Sequence, residues 1–104
     1  MFYMLNMASV IYVYDVKKGK QRDPRRTRFN KELFGYKYSW ETKDGAKTSQ
    51  KKGLLQLYGA SYIGDSVIGV RQEYAAHFDE LFSIYSDVIG ARKFLVEKEV
   101  NLKY

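Results

Sequence analysis

Apolar and polar residues change their spacing several times along this chain, and each change marks an element. From Ala8 to Val16 (ASVIYVYDV), Val, Ile and Tyr fall at both parities until Asp15, the pattern of a central strand covered on both faces. Charged residues from Lys17 to Arg22, with Gly19 among them, make a loop. Asp23-Pro24 has the form of an N-cap and a first helical residue, and Gly35 that of a stop, so the intervening residues are predicted helical with Phe29, Leu33 and Phe34 on one face. The period then drops to two: Tyr36, Tyr38 and Trp40 alternate with Lys37, Ser39 and Glu41, as in a half-buried strand. Asp44-Gly45 is a type I′ turn signal with Ala46 to Gln50 as a polar return arm, so residues 42–53 are expected to form an inserted basic hairpin or loop.

Gly53-Leu54-Leu55 re-enters the apolar interior, with a helical turn through Tyr58. Ala60 to Ile63 and Ser66 to Val70 flank Gly64-Asp65, a two-residue loop between two short strands. Between Arg71 and Ser86, the residues Tyr74, Phe78, Leu81, Phe82 and Tyr85 recur at helical spacing, leaving Glu73, Asp79 and Glu80 on the outer face. His77 lies at the edge of that apolar stripe and is assigned to packing. Val88 to Val100 closes the chain as a strand around Phe94-Leu95-Val96. The predicted class is α+β, with a ferredoxin-like βαββαβ order: an antiparallel sheet with two helices on one face and an inserted basic β-hairpin.

Composition narrows the choices further. The 104 residues, 45% of them hydrophobic, are enough for a single domain and too few for two. The apolar opening lacks a basic leader and falls short of the roughly 20 apolar residues a membrane span needs, so a cytoplasmic protein without membrane contact is expected, with Met1 to Asn6 as an extension ahead of a start at Met7. The chain has no cysteine, which removes disulfides and thiolate metal sites, and with a single histidine the common zinc sites go too. His77 would be the only base for a Ser-His-Asp arrangement, and Gly45-Ala46-Lys47-Thr48-Ser49 lacks the glycine-rich lead of a P-loop.

Charge is the strongest functional signal. Lys17 to Gly53 holds 13 Lys/Arg and four acids, a surplus of +9, whereas the rest of the chain sums to −3. A basic stretch with interleaved aromatics is the footprint of a surface that meets polyphosphate. The candidate phosphate contacts are Arg22, Arg25, Arg26 and Arg28 at the helix start and Lys47, Lys51 and Lys52 in the hairpin. Cations at a helix N-terminus are disfavoured by the macrodipole, and an anion bound there would relieve them; solvated surface arginines are the competing explanation. The aromatic row has two readings as well, core or interface on one side and a base-stacking platform on the other.

Asp15 stands alone as a carboxylate in an apolar strand. It either caps the following turn or pairs with an arginine, or it serves as a Mg²⁺ ligand with a second copy supplied across a two-fold dimer axis. In Ile11-Tyr12-Val13-Tyr14-Asp15-Val16, in the basic helix Arg25 to Phe34 with its Gly35-Tyr36 exit, and in Tyr38-Ser39-Trp40-Glu41, the sequence resembles the Cas2-like family of CRISPR adaptation proteins. The resemblance implies a ferredoxin-like homodimer that binds duplex DNA and makes Asp15 the candidate Mg²⁺ ligand and catalytic residue. The hairpin from Thr42 to Gly53 and the Gly64-Asp65 loop depart from that family's pattern. The leading expectation is a homodimeric nucleic-acid-binding protein, for DNA or RNA, that contacts the phosphate backbone. The alternatives are a Mg²⁺-dependent endonuclease centred on Asp15 and a protein-interaction domain that docks an acidic partner.

Overall fold

Val10, Tyr12 and Tyr14 share one face of the first strand, and the core is built against that face. A computed structural model describes residues 9–98, 100 and 102; the predicted extension at Met1 to Asn6 lies outside the described residues. Strand β1 (Val10–Val16) leads through a charged loop to helix α1 (Pro24–Phe34), followed by β2 (Gly35–Thr42) and β3 (Gly45–Lys52). After them come a single helical turn, α2 (Leu54–Leu57), the short strands β4 (Ser61–Gly64) and β5 (Val67–Val70), helix α3 (Ala75–Ile84) and strand β6 (Ile89–Leu95). The main sheet runs β4-β5-β1-β6, all antiparallel, and β2 and β3 form a separate two-stranded sheet.

β1 is central, as its composition predicts, but among the described residues only one of its faces is covered. Val10, Tyr12 and Tyr14 are buried beneath Phe29 and Leu33 of α1, Leu55 of α2 and Phe78, Leu81 and Phe82 of α3. Ile11 and Val13 stay half-buried on the opposite, open side, where Asp15 is exposed. The aliphatic run made both faces look interior, because period alone does not separate a half-open sheet face from a covered one. Burial joins these side chains through aromatic edges: Phe29 lies 5.6 Å from Tyr14, 5.6 Å from Phe82 and 5.8 Å from Tyr85, ring centre to ring centre.

The predicted helix from Arg71 to Ser86 is shorter and in two parts, a 3-10 turn over Gln72–Tyr74 and then α3. Asp79, expected on its outer face, instead turns toward the sheet. Its Oδ1 accepts a 2.6 Å hydrogen bond from the Tyr12 hydroxyl, which also lies 3.0 Å from the Ala75 carbonyl, and its Oδ2 accepts from Lys93 Nζ at 2.8 Å. One proton serves both Tyr12 contacts, and the short one to the charged oxygen is the stronger. β1, α3 and β6 are thereby tied by polar atoms where the apolar core ends.

Both tight turns differ by one residue from the sequence expectation. The β2–β3 register pairs Thr42 with Gly45, so the loop is Lys43-Asp44 and Gly45 follows it at φ 108°. A type I′ turn needs positive φ at both central residues, and neither Lys43 nor Asp44 has it; the glycine instead takes the left-handed position after an ordinary turn. In the β4–β5 loop Ser66, not glycine, takes the positive φ of 59°, and its backbone N–H donates to the Tyr62 hydroxyl. No helix among the described residues is long and apolar enough to cross a membrane.

Phe29→Ala should cost about 3–5 kcal/mol, a large part of the stability of a domain this size, and urea unfolding would check it. Burial works to raise the Asp79 pKa, but the hydrogen bonds from Lys93 and Tyr12 outweigh it and hold the carboxyl below its ordinary range. Its contribution to stability is therefore fully present above about pH 4 and is lost as pH falls through the lowered native value. Asp79→Asn should lower stability at neutral pH by about 0.5–1 kcal/mol, and urea midpoints of the two proteins should converge as pH drops below about 4.

Candidate functional site

The hairpin leaves the core at the C-terminus of α1 and returns beside its own starting point. Leu33 is fully buried and anchors the helix end, and Gly35 follows at φ 81° with its N–H donating to the Lys31 carbonyl. Gly53, at the other foot, donates its N–H to Gln56 Oε1 at 2.8 Å. The feet are in backbone contact. A Cβ on Gly53 would run into Gly35 N and the Leu33 carbonyl, and one on Gly35 would meet the Lys51 carbonyl and come within 2.8 Å of Gly53 N. Glycine is required at both positions by close approach, and at Gly35 also by its backbone angle.

Beyond this root the two strands pair with each other. The radius of gyration is 16.5 Å and the longest dimension 53 Å, against roughly 13 Å for a compact 100-residue domain, as a projecting hairpin requires. Among the described residues no second layer backs β2, so its aromatic row is not the half-buried face predicted for it: Tyr38 and Trp40 are 47% and 46% exposed. The rings rest on one another instead. Tyr36 and Tyr38 are 6.0 Å apart, and Tyr38 and Trp40 are 5.8 Å apart with their planes at 27°.

Register decides which cations share this face. Tyr36 is opposite Lys51, Tyr38 opposite Ser49 and Trp40 opposite Lys47, so both lysines flank the aromatic ladder. Glu41, which is paired with Ala46, belongs to the other face. At the ladder's root Lys31 Nζ sits 5.1 Å from the centre of the Tyr36 ring, in cation–π range. Tyr36 and Lys51 also line a groove of about 480 Å³ between the hairpin, α1, α2 and α3. Arg28, Lys31 and Lys52 add further cations to it, Glu32 and Glu80 add two carboxylates, and Leu57, Ile84 and Tyr85 supply apolar wall. Burial, together with the nearby Glu32 carboxylate, pushes the Tyr85 hydroxyl up from its usual range. His77, expected in packing, is exposed on this rim and stacks on Tyr58 at 4.1 Å with planes at 12°.

The seven predicted phosphate contacts therefore divide. Arg28, Lys51 and Lys52 meet in the groove, and Lys47 continues the same strip toward the hairpin tip. Arg22, Arg25 and Arg26 lie toward the N-terminal end of α1 and are not part of the groove lining, although Arg25 is only one turn, about 4.5 Å along the axis, before Arg28. Arg25 is engaged internally: Nη2 donates to the Ile84 carbonyl at 2.6 Å, and the guanidinium lies 4.8 Å from the Tyr85 ring centre. Its Nε is 2.8 Å from Asp87 Oδ2, an ion pair by distance although the N–H is not aimed along the contact, and the arginine holds the Asp87 carboxyl below its ordinary range. Arg26 donates to the Gln21 carbonyl at 3.1 Å. The anion expected at the α1 N-terminus is supplied by the chain, because Asp23 accepts the Arg25 N–H at 2.9 Å. Sequence reasoning passed over Lys31; its spacing of three from Arg28 puts the two on one helix face and was available as a signal.

Asp15 sits on the open face of the sheet, away from this groove. Its Oδ1 accepts the Val16 N–H at 2.8 Å, and it lines a shallow depression with Asp65 and Arg92. Among the described residues no group of three potential metal ligands comes together. Two carboxylates beside a guanidinium make a poor cage for a divalent cation unless a second chain adds donors.

No family model matches this chain, and neither a curated protein nor a solved structure matches it.

Gly53→Ala should destabilise the protein by about 1–3 kcal/mol in urea unfolding, because the added methyl has only backbone to displace. Gly64→Ala, where a Cβ meets open space, should stay within about 0.5 kcal/mol of the parent, and equal effects at the two sites would contradict the close-approach account.

Proposed function

We propose that this protein binds nucleic acid by its phosphate backbone, along a strip formed by the α1 groove and one face of the β2–β3 hairpin. The observation that carries the reading is the strand register, which sets Lys47 and Lys51 beside Tyr36, Tyr38 and Trp40 on a surface continuous with Arg28, Lys31 and Lys52. Cations next to exposed aromatic rings match a ligand that alternates phosphate and planar base. An acidic protein partner would use the lysines equally well and would pack on Tyr38 and Trp40, but it does not present phosphate and planar ring in regular alternation.

The underlying fold is proposed to be the ferredoxin-like βαββαβ arrangement, with the hairpin inserted after the first helix. Its support is the main-sheet order β4-β5-β1-β6, with α1 between β1 and β4 in the chain and α3 between β5 and β6. Binding is favoured over cleavage because Asp15 lies across the sheet from the groove, so a strand held in the groove does not pass it.

Fluorescence anisotropy of a labelled oligonucleotide at several salt concentrations tests this. Binding should weaken steeply with salt, with a log–log slope of about −3 for five cations partly engaged on a single strand. Lys47→Ala and Lys51→Ala should each reduce the slope by about 1 and weaken binding to all sequences alike, whereas Arg22→Ala and Arg26→Ala should change little. Affinity that does not move between low and moderate salt, or losses as large from Arg22 and Arg26, would overturn the proposal.

A further inference from the structure

Resting on the nucleic-acid reading above, we infer that the strand this surface takes is single, with its bases stacked on the Tyr36-Tyr38-Trp40 ladder and one nucleotide held in the groove at its root.

Phosphate binding alone gives no reason for the ladder. A duplex offers a protein its phosphates, its sugars and the edges of its bases, while the flat faces of the bases are already stacked on each other. Lysines on a polar ribbon would suffice for that. Here the same face carries three successive aromatic side chains, two of them nearly half exposed, and among the described residues no apolar layer lies behind the hairpin to explain them as core. Exposed rings flanked by Lys47, Ser49 and Lys51 become useful when bases present their faces, which only unpaired nucleotides do.

Spacing points the same way. Ring centres along the ladder are 6.0 and 5.8 Å apart, well beyond the roughly 3.4 Å step between bases in a duplex strand. A duplex opens a step that far only by unstacking, at about a few kcal/mol for each step opened, and three successive rings would require this repeatedly. A single strand can lengthen its step, since its backbone is free to extend until successive bases meet successive rings.

A two-stranded ribbon is also narrow enough to enter a duplex major groove, so that alternative has to be weighed. Base-edge reading there is done by polar side chains that hydrogen-bond in pairs, and Arg, Asn and Gln are the usual choices. The ladder face has none of these; its polar members are Lys47, Ser49 and Lys51. The opposite face carries Lys37 and Gln50, a single amide reader, but sets Glu41 beside them, which would meet phosphate unfavourably. Neither face suits that role.

The groove supplies the second half of the inference. Its volume of about 480 Å³ falls in the range of small-ligand pockets, roughly 300–1,000 Å³, the scale of one nucleotide rather than a helix. Leu57 and Ile84 form apolar wall for a base, and Lys31, Lys51 and Lys52 stand where the strand leaves toward the ladder. Glu32 and Glu80 in the same lining repel phosphate, which sends the backbone to the hairpin side.

Trp40 is the only tryptophan in the chain, so its emission reports on the ladder directly. The test titrates the full-length protein with a mixed-sequence DNA of about 12 nucleotides, the RNA of the same sequence, and that DNA annealed to its complement. Single strands should quench Trp40 and bind roughly 10-fold or more tightly than the duplex, and Tyr38→Leu should weaken single-strand binding by roughly 10-fold while leaving the salt slope unchanged. Trp40→Leu, followed by anisotropy of a labelled strand, should do the same, and circular dichroism would verify that both variants keep the fold. Equal or tighter duplex binding with unchanged Trp40 emission would overturn this inference and leave the nucleic-acid reading standing. Binding to none of the three would remove both.

Discussion

Two chain segments touch, backbone to backbone, where the hairpin joins the core, and the geometry of the proposed site follows from that contact. Gly35 and Gly53 leave no room for a Cβ between them, so β2 and β3 begin and end at one point fixed by buried Leu33 on one side and by α2 on the other. Because the root is fixed, the register is fixed; because the register is fixed, Lys47 and Lys51 face the same way as the aromatic row. A slip of one residue in either strand would send the lysines to the other face and leave the rings alone. Close approach at the two glycines fixes the root, and the antiparallel pairing of β2 with β3 carries that register along the ribbon.

The helix that precedes the hairpin handles its charge in two different ways. At its N-terminus Asp23 caps the backbone, and Arg25 is occupied by Asp87, Ile84 and the Tyr85 ring, so much of the apparent basicity is spent on holding α1 to the end of α3. From its middle onward, Arg28 and Lys31 line the groove beside Lys51 and Lys52. Net charge of a segment thus overstates what is free to meet a ligand, and only the fold separates the structural cations from the available ones.

Much of this was legible in the chain. Asp23-Pro24 and Gly35 delimit α1 because capping chemistry is local, and the apolar spacing of Phe78, Leu81, Phe82 and Tyr85 locates the third helix because its core face is continuous. The segregation of charge into residues 17–53 likewise pointed to the region in which the site is proposed. Other features depended on distant partners. The open side of β1, the inward turn of Asp79 to Tyr12 and the engagement of Arg25 all involve residues 59 or more positions apart, or the absence of a covering layer, and no local pattern encodes either. The two turns missed by one residue for a smaller reason: glycine was expected inside the turn, whereas Gly45 follows it and Ser66 accepts the left-handed angle in the other.

The way the hairpin is rooted also bears on how such a surface arises. Its feet are neighbours in space, and every residue of the buried core lies outside it, so the domain beneath keeps its sheet and helices whether the ribbon is long, short or replaced by a brief link. A segment with that property is a module: it is free to lengthen, shorten or change its side chains under selection without renegotiating the packing of its host. The host, in turn, is free to diverge in its own core while carrying the same appendage.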